Sequence, residues 1–186
     1  MLSRDARLAR VMDSTIALFS SARRHGNTGQ LMDRIADAGK IEVIDLAEKH
    51  IAPYDYKHRN RSDDFEPLME RLLGYKQLIF ASPVYWYSCT PQMKSFVDRI
   101  TDFLDLPELL EKGRGLRGKA GYVVCTSVYD EVAPPFLDMF RSTFGYLGMT
   151  FGGYLHVNCE AGYSARDHEG EIRDFVALLS RGEERA

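Results

Sequence analysis

The sequence predicts a doubly wound α/β sandwich: one five-stranded parallel sheet with helices on both faces. Three observations predict it. Short apolar runs alternate with segments of helical period from residue 14 onward. Right-handed crossovers between parallel strands place the intervening helices on either side of the sheet. A chain of 186 residues, 45% of them hydrophobic, has the size of one domain with a sizeable core, and no repeat, low-complexity tract or linker divides it. Among the common strand orders, 2-1-3-4-5 fits five strands in this length. Residues 1–13 read as an N-terminal arm and 14–186 as the single domain.

Each element has its own local signal. "STIALFS" (14–20) is a short apolar run, and Leu31, Ile35 and Ala38 follow at helical spacing. "KIEVIDLA" (40–47) alternates apolar and charged residues, as a half-buried or edge strand does. The irregular stretch 48–64 is long enough to suggest a functional loop. A helix near Phe65–Leu73 precedes the apolar run "KQLIFASP", which stops at Pro83. "TPQMKSFVDRITDFLD" reads as one helix, with Thr90 as N-cap, Pro91 at the first helical position, and Met93, Phe96, Val97 and Ile100 on one face. "GKAGYVVCTS" is the fourth strand. Pro134 and Pro135 open a helix with the stripe Phe136, Leu137, Phe140, Phe144 and Leu147. "MTFGGYLHV" is the fifth strand, and Ile172, Phe175, Val176 and Leu179 mark the last helix.

Composition removes several functions. The net charge of −3, with both signs interspersed, gives no reason to expect a nucleic-acid partner. No apolar run approaches the length of a membrane span. The three cysteines, Cys89, Cys125 and Cys159, form no CxxC pair. That argues against zinc, an iron–sulfur cluster or a disulfide framework, and it fits a cytoplasmic protein with no metal site.

Two loops carry the chemistry. In a doubly wound sheet, ligands bind beyond the carboxyl ends of the strands, at the switch point beside strand 1. There "SSARRHGNT" (20–28) runs into a helix N-terminus, whose unpaired N–H groups and dipole favour an anion. Ser21, Asn27 and Thr28 add side-chain donors, Arg23 adds charge, and Gly26 permits close backbone approach. A phosphate is the economical ligand, although the pattern is neither a Walker A loop nor GxGxxG. After strand 3, "SPVYWYS" (82–88) sets Pro83, Val84, Tyr85, Trp86 and Tyr87 in succession at the same sheet edge. That is planar apolar surface for a flat ring. One ligand with a phosphate and a ring explains both loops, where covering the core or a subunit contact would explain only the second.

These two stretches resemble the NADPH-dependent FMN reductase family. "SSARRHGNT" is similar to its (G/S)SxRxxGNT phosphate loop, and "SPVYWYSCTPQMKSFVDR" to its SPxYWxxxxxxLKxFIDR signature. The match extends over roughly residues 14 to 180. The resemblance implies a flavodoxin-like fold, non-covalent FMN, NADPH or NADH as electron donor, and a homodimer. Ser21, Arg23, Asn27 and Thr28 would hold the phosphate. Pro83, Val84, Tyr85 and Trp86 would line the isoalloxazine ring, and Thr126 and Ser127 would reach its edge. The activity implied is hydride transfer from a nicotinamide through FMN to a quinone, a nitro or azo compound, or a free flavin. No side chain is then required as nucleophile or base.

The sequence departs from the family pattern at Tyr87, where many relatives carry a glycine, and in "TSVYDEVAPPF", which lacks a glycine-rich turn. A bulky Tyr87 narrows the approach to the ring, and Tyr129 is free to shape the pocket or a dimer contact. Arg59 and Arg61 offer charge to a nicotinamide phosphate, and "APYDYKH" offers a wall to a partner's pocket. His25 reads as solvent-facing, Cys89 and Cys125 as buried thiols. Lys94, Asp98 and Arg99 read as ion-pairing residues on the polar side of their helix. A flavodoxin-like electron carrier is the alternative function, but its threonine-rich loop and acidic face are missing. A receiver domain fails for want of the acidic pair and phosphoacceptor aspartate.

Overall fold

In the computed structural model, which describes residues 14–182, five parallel strands pair in the order β2-β1-β3-β4-β5. They are β1 (Thr15–Phe19), β2 (Glu42–Asp45), β3 (Gln77–Pro83), β4 (Ala120–Ser127) and β5 (Thr150–Asn158). The helices are α1 (Asn27–Gly39), α2 (Phe65–Leu73), α3 (Pro91–Arg99), α4 (Asp102–Asp105), α5 (Leu110–Arg114), α6 (Pro134–Tyr146) and α7 (Glu169–Gly182). The N-terminal arm expected at 1–13 lies outside the described residues.

The period-2 alternation of each strand divides the core between the two faces. Ile16, Leu18, Leu78, Phe80, Val123 and Cys125 point to one face, under α2, α3 and α6. Ala17, Phe19, Ile79, Ala81, Tyr122 and Val124 point to the other, under α1 and α7. The outer strand β2 is short and only partly buried, as an edge strand should be. Among the described residues no helix is long and apolar enough to cross a membrane.

Three sequence expectations need correction. Ala38 is exposed, and the buried stripe of α1 runs instead through Leu31, Met32, Ile35 and Gly39. The single helix expected over 90–105 breaks after Arg99, where Ile100 and Thr101 make tighter i→i−3 bonds to Val97 and Asp98. The break turns Asp102 back beneath Arg99, whose Nε donates to its carboxylate at 2.7 Å.

Arg99 is the third correction, for it is not on a polar face. Its side chain is 2% exposed, stacks 4.7 Å over the Phe65 ring, and donates to Asp63 and to the carbonyls of Ala52 and Asn60. Its ion-pairing role stands, but the charge is buried. The cluster pins the long loop 49–64 against α3, and His58 Nδ1 adds a 2.7 Å bond to Asp102. Lys94 and Asp98 do pair on the surface, at 2.5 Å.

Candidate functional site

At the carboxyl edge of the sheet, β1 hands over to α1 through residues 20–26. Gly26 occupies the N-cap position of α1, where no side chain caps the helix, and no acidic residue stands in its first turn. The first-turn N–H groups therefore face outward with the dipole behind them, a setting that favours an anion.

The two arginines of this loop divide their work. Arg24 grips Asp33 of α1 in a bidentate pair at 3.1 and 2.6 Å and lies 5.2 Å over the Phe19 ring. The hydrogen bond to Asp33 raises its pKa further, so Arg24 is a clamp that folds the loop down. Arg23 is exposed, lines the cavity described below, and makes no ion pair among the described residues. His25 is exposed, as expected.

The folded loop presses on α1 at Gly29, a position that sequence reasoning missed. A Cβ there would lie 1.8 Å from the Arg24 carbonyl oxygen, so only glycine lets the loop curl over the helix start. The visible signal is a glycine at the third position of a helix, where it costs stability unless packing needs it.

The loop after β3 is a two-residue hairpin. Tyr85 N–H donates to the Ser88 carbonyl at 2.8 Å, and Ser88 N–H returns to Tyr85 at 3.0 Å. Trp86 and Tyr87 between them have φ of 48° and 65°. Positive φ at both central residues is type I′ geometry, which glycine and asparagine usually supply. Here two bulky aromatics hold it, at a cost of strain. Trp86 is 93% exposed and Tyr87 60%.

The base of this hairpin is anchored from below. Thr90 caps α3 through Met93 N–H, donates its own N–H to Ser82 Oγ, and meets Ser20 Oγ at 2.5 Å. The two loops therefore share buried hydroxyl contacts. Cys89 beside them is buried, and burial pushes its thiol up to about 11, which makes it a packing residue. Cys125 is likewise buried and pushed up to about 12.

One cavity of about 390 Å³ unites these parts. Ser21, Arg23, Asn27 and Thr28 line one end, Pro83, Val84, Tyr85 and Trp86 another wall, and Thr126 and Ser127 the floor edge. Every site residue named from the sequence is in that lining. Gly26, Tyr87, Val128, Tyr129, Ala133 and Cys159 complete it. Thr28 is buried, and its Oγ1 lies 2.7 Å from Thr126 Oγ1, so it faces the floor as well as the anion end. Arg59 and Arg61 are elsewhere: Arg59 pairs with Asp55, and Arg61 with Glu66 and Glu108.

A doubly wound sheet with an uncapped anion loop and an aromatic hairpin on one cleft defines a flavodoxin-like protein built for a phosphorylated planar ring. Residues 14–161 match the model of the NADPH-dependent FMN reductases, and the chain belongs to that family. By class it is an FMN-dependent NAD(P)H oxidoreductase. YwqN of Bacillus subtilis (strain 168), assigned to the NAD(P)H-dependent FMN-containing oxidoreductases, is 30% identical over 87% of this chain and 93% of its own length. Among solved structures, the Trp repressor binding protein from Bacillus subtilis superposes with a TM-score of 0.64 at 25% identity, covering 92% of this chain and 98% of that one. An FMN-dependent NADH-azoreductase from Bacillus anthracis, solved with FMN, has the same fold with a TM-score of 0.64 at 12% identity, covering 90% of this chain and 99% of its own.

Proposed function

We propose that this cavity binds FMN with its phosphate on the 21–28 loop and its ring against the Tyr85–Tyr87 hairpin, and that the protein passes reducing equivalents from a nicotinamide to a small quinone, nitro, azo or flavin acceptor. The observation that carries the reading is the juxtaposition of an uncapped helix N-terminus and Arg23, which has no ion pair among the described residues, with an exposed aromatic hairpin on one cleft. The donor set fits the cofactor. Ser21, Asn27, Arg23 and the first-turn N–H groups offer hydrogen bonds and charge to a phosphate dianion. The hairpin supplies a planar apolar wall, and Thr126 and Ser127 supply hydroxyls for a polar ring edge.

When bound, FMN supplies two-electron chemistry that no side chain here can perform. The chain's own residues bind and orient it. Tyr85 and Val84 keep water from one side, and the opening beside Trp86 and Tyr87 admits donor and acceptor in turn. We further read the protein as a cytoplasmic homodimer, with exposed Trp86, Tyr129 and Tyr56 at or near the contact. The electron-carrier alternative draws little support from a net charge of only −3 with both signs interspersed.

Purified protein should turn yellow with added FMN, and its 450-nm band should bleach anaerobically with NADPH or NADH. A protein that takes up no FMN refutes the reading. One that takes it up but stays oxidised with both nucleotides is a carrier.

A further inference from the structure

Ser127 ends β4 at the lip of the cavity, and a partner from outside the cavity holds its hydroxyl. Ser127 Oγ accepts from the Tyr129 backbone N–H at 3.2 Å and lies 2.8 Å from Nε2 of His156 on the outer strand β5. A serine hydroxyl has two acceptor lone pairs and one proton. With a proton on Nε2, His156 and Tyr129 fill both lone pairs, and the hydroxyl proton has no partner among them. Among the described residues the further acceptor in reach is the Tyr129 carbonyl at 3.4 Å, too long to compete with a well-placed ligand oxygen or nitrogen. With Nε2 bare, the hydroxyl instead donates to His156 and keeps only one lone pair, so towards the cavity it can accept but not donate. The imidazole thus sets whether Ser127 acts as donor or acceptor towards a ligand.

We propose that His156 is a positioning residue: it donates from Nε2 to Ser127 and so commits the Ser127 hydroxyl proton to the acceptor edge of the ring in the cavity. This rests on the proposed flavin site and deepens it, because it gives a residue that touches no cofactor a role in ring binding. The charged groups facing the imidazole are Glu171 from α7, and Asp130, Glu131 and Arg141, which share with it a groove between β5 and α6. Asp130 is held by the Asn158 amide at 2.8 Å. Burial moves His156 below the ordinary imidazole range. Neutral imidazole protonated on Nε2 and imidazolium both donate to Ser127, so its titration leaves the polarity of the contact unchanged.

The test measures binding of FMN and of riboflavin by quenching of flavin fluorescence between pH 5 and 8. His156→Phe should weaken both flavins equally, by about three- to tenfold, the usual worth of one hydrogen bond. His156→Gln, which keeps a donor, should restore most of the affinity. Ser127→Ala should match His156→Phe, and the two together should cost no more than either. Nitrogen-15 NMR of the flavin-loaded protein should show the proton of neutral His156 on Nε2. If the Phe variant misfolds by its thermal melt, the Gln variant, Ser127→Ala and the tautomer measurement decide. Unchanged flavin affinity in His156→Phe, a proton on Nδ1, or a rise in affinity as pH falls through the His156 titration overturns the proposal. Wild-type protein that binds neither flavin overturns the flavin site as well.

Discussion

Thr28 and Thr126, 98 residues apart, meet hydroxyl to hydroxyl at 2.7 Å beneath the cavity. The contact joins the first turn of α1 to the end of β4, and therefore the anion end of the cleft to its floor. Both residues are buried, at 2% and 4% exposure, so neither oxygen can turn to water if the other is lost. Thr28→Val keeps the shape and removes one partner. A buried hydroxyl left unpaired costs about 1–3 kcal/mol. Urea unfolding of the protein without FMN should therefore show a loss in that range. Double replacement by valine should recover part of it, because no polar group is then stranded.

The paired arginines of the loop should separate cleanly. Arg23 has no ion pair among the described residues, whereas Arg24 is committed to Asp33. Arg23→Ala should weaken FMN by about tenfold, in line with a charge-assisted hydrogen bond, yet leave riboflavin binding and the melting temperature unchanged. Arg24→Ala should instead lower the melting temperature and weaken FMN indirectly by loosening the loop. Equal loss of FMN and riboflavin in Arg23→Ala would place the phosphate elsewhere.

Tyr87 joins strain to function. At φ 65° it occupies a left-handed position that glycine fills without steric cost. Tyr87→Gly should stabilise the FMN-free protein by up to about 1 kcal/mol, measured by urea unfolding, since the relief of strain is offset by glycine's unfolded-state entropy. The same change widens the mouth of the cavity. It should lower KM for the nicotinamide if the tyrosine ring obstructs it. A drop in stability would mean that the ring contributes more by packing than the backbone loses by strain.

The sequence revealed what depends on local pattern. Strand alternation, Pro91 and Pro134 at helix starts, and both loop motifs are readable from neighbouring residues, and the topology rules then bring the loops to one edge. What escaped depends on contacts between distant segments. Arg99 looks solvent-facing beside Lys94 and Asp98, because nothing near it announces Asp63, 36 residues away, or the helix break that delivers Asp102. Gly29 carries no local mark of its role beyond its place in a helix, because the contact that requires glycine comes from the Arg24 carbonyl of the folded loop. His156 reads only as a residue of the fifth strand, and the β4–β5 register brings it to Ser127.

The Arg99 cluster predicts how the fold responds to acid. Burial pushes the Asp63 carboxyl up, but Arg99 and the backbone N–H groups of Ala52 and Phe65 together hold it below its usual range. A carboxyl with a depressed folded-state pKa contributes stability that is present above its unfolded value, about 3.9, and is lost as pH falls through the folded value. Wild-type stability should thus hold from neutrality to about pH 4 and then fall, with loop 49–64 the first part to open. Arg99→Met should remove the countercharge and strand Asp63 and Asp102 in the interior. The expected cost at pH 7 is about 3–5 kcal/mol, the usual penalty for breaking a buried pair on one side. Because a protonated Asp63 no longer needs the arginine, the deficit should shrink towards pH 4. Urea unfolding at pH 7 and pH 4 tests this, and a deficit independent of pH would show that Arg99 acts through its packing on Phe65 rather than its charge.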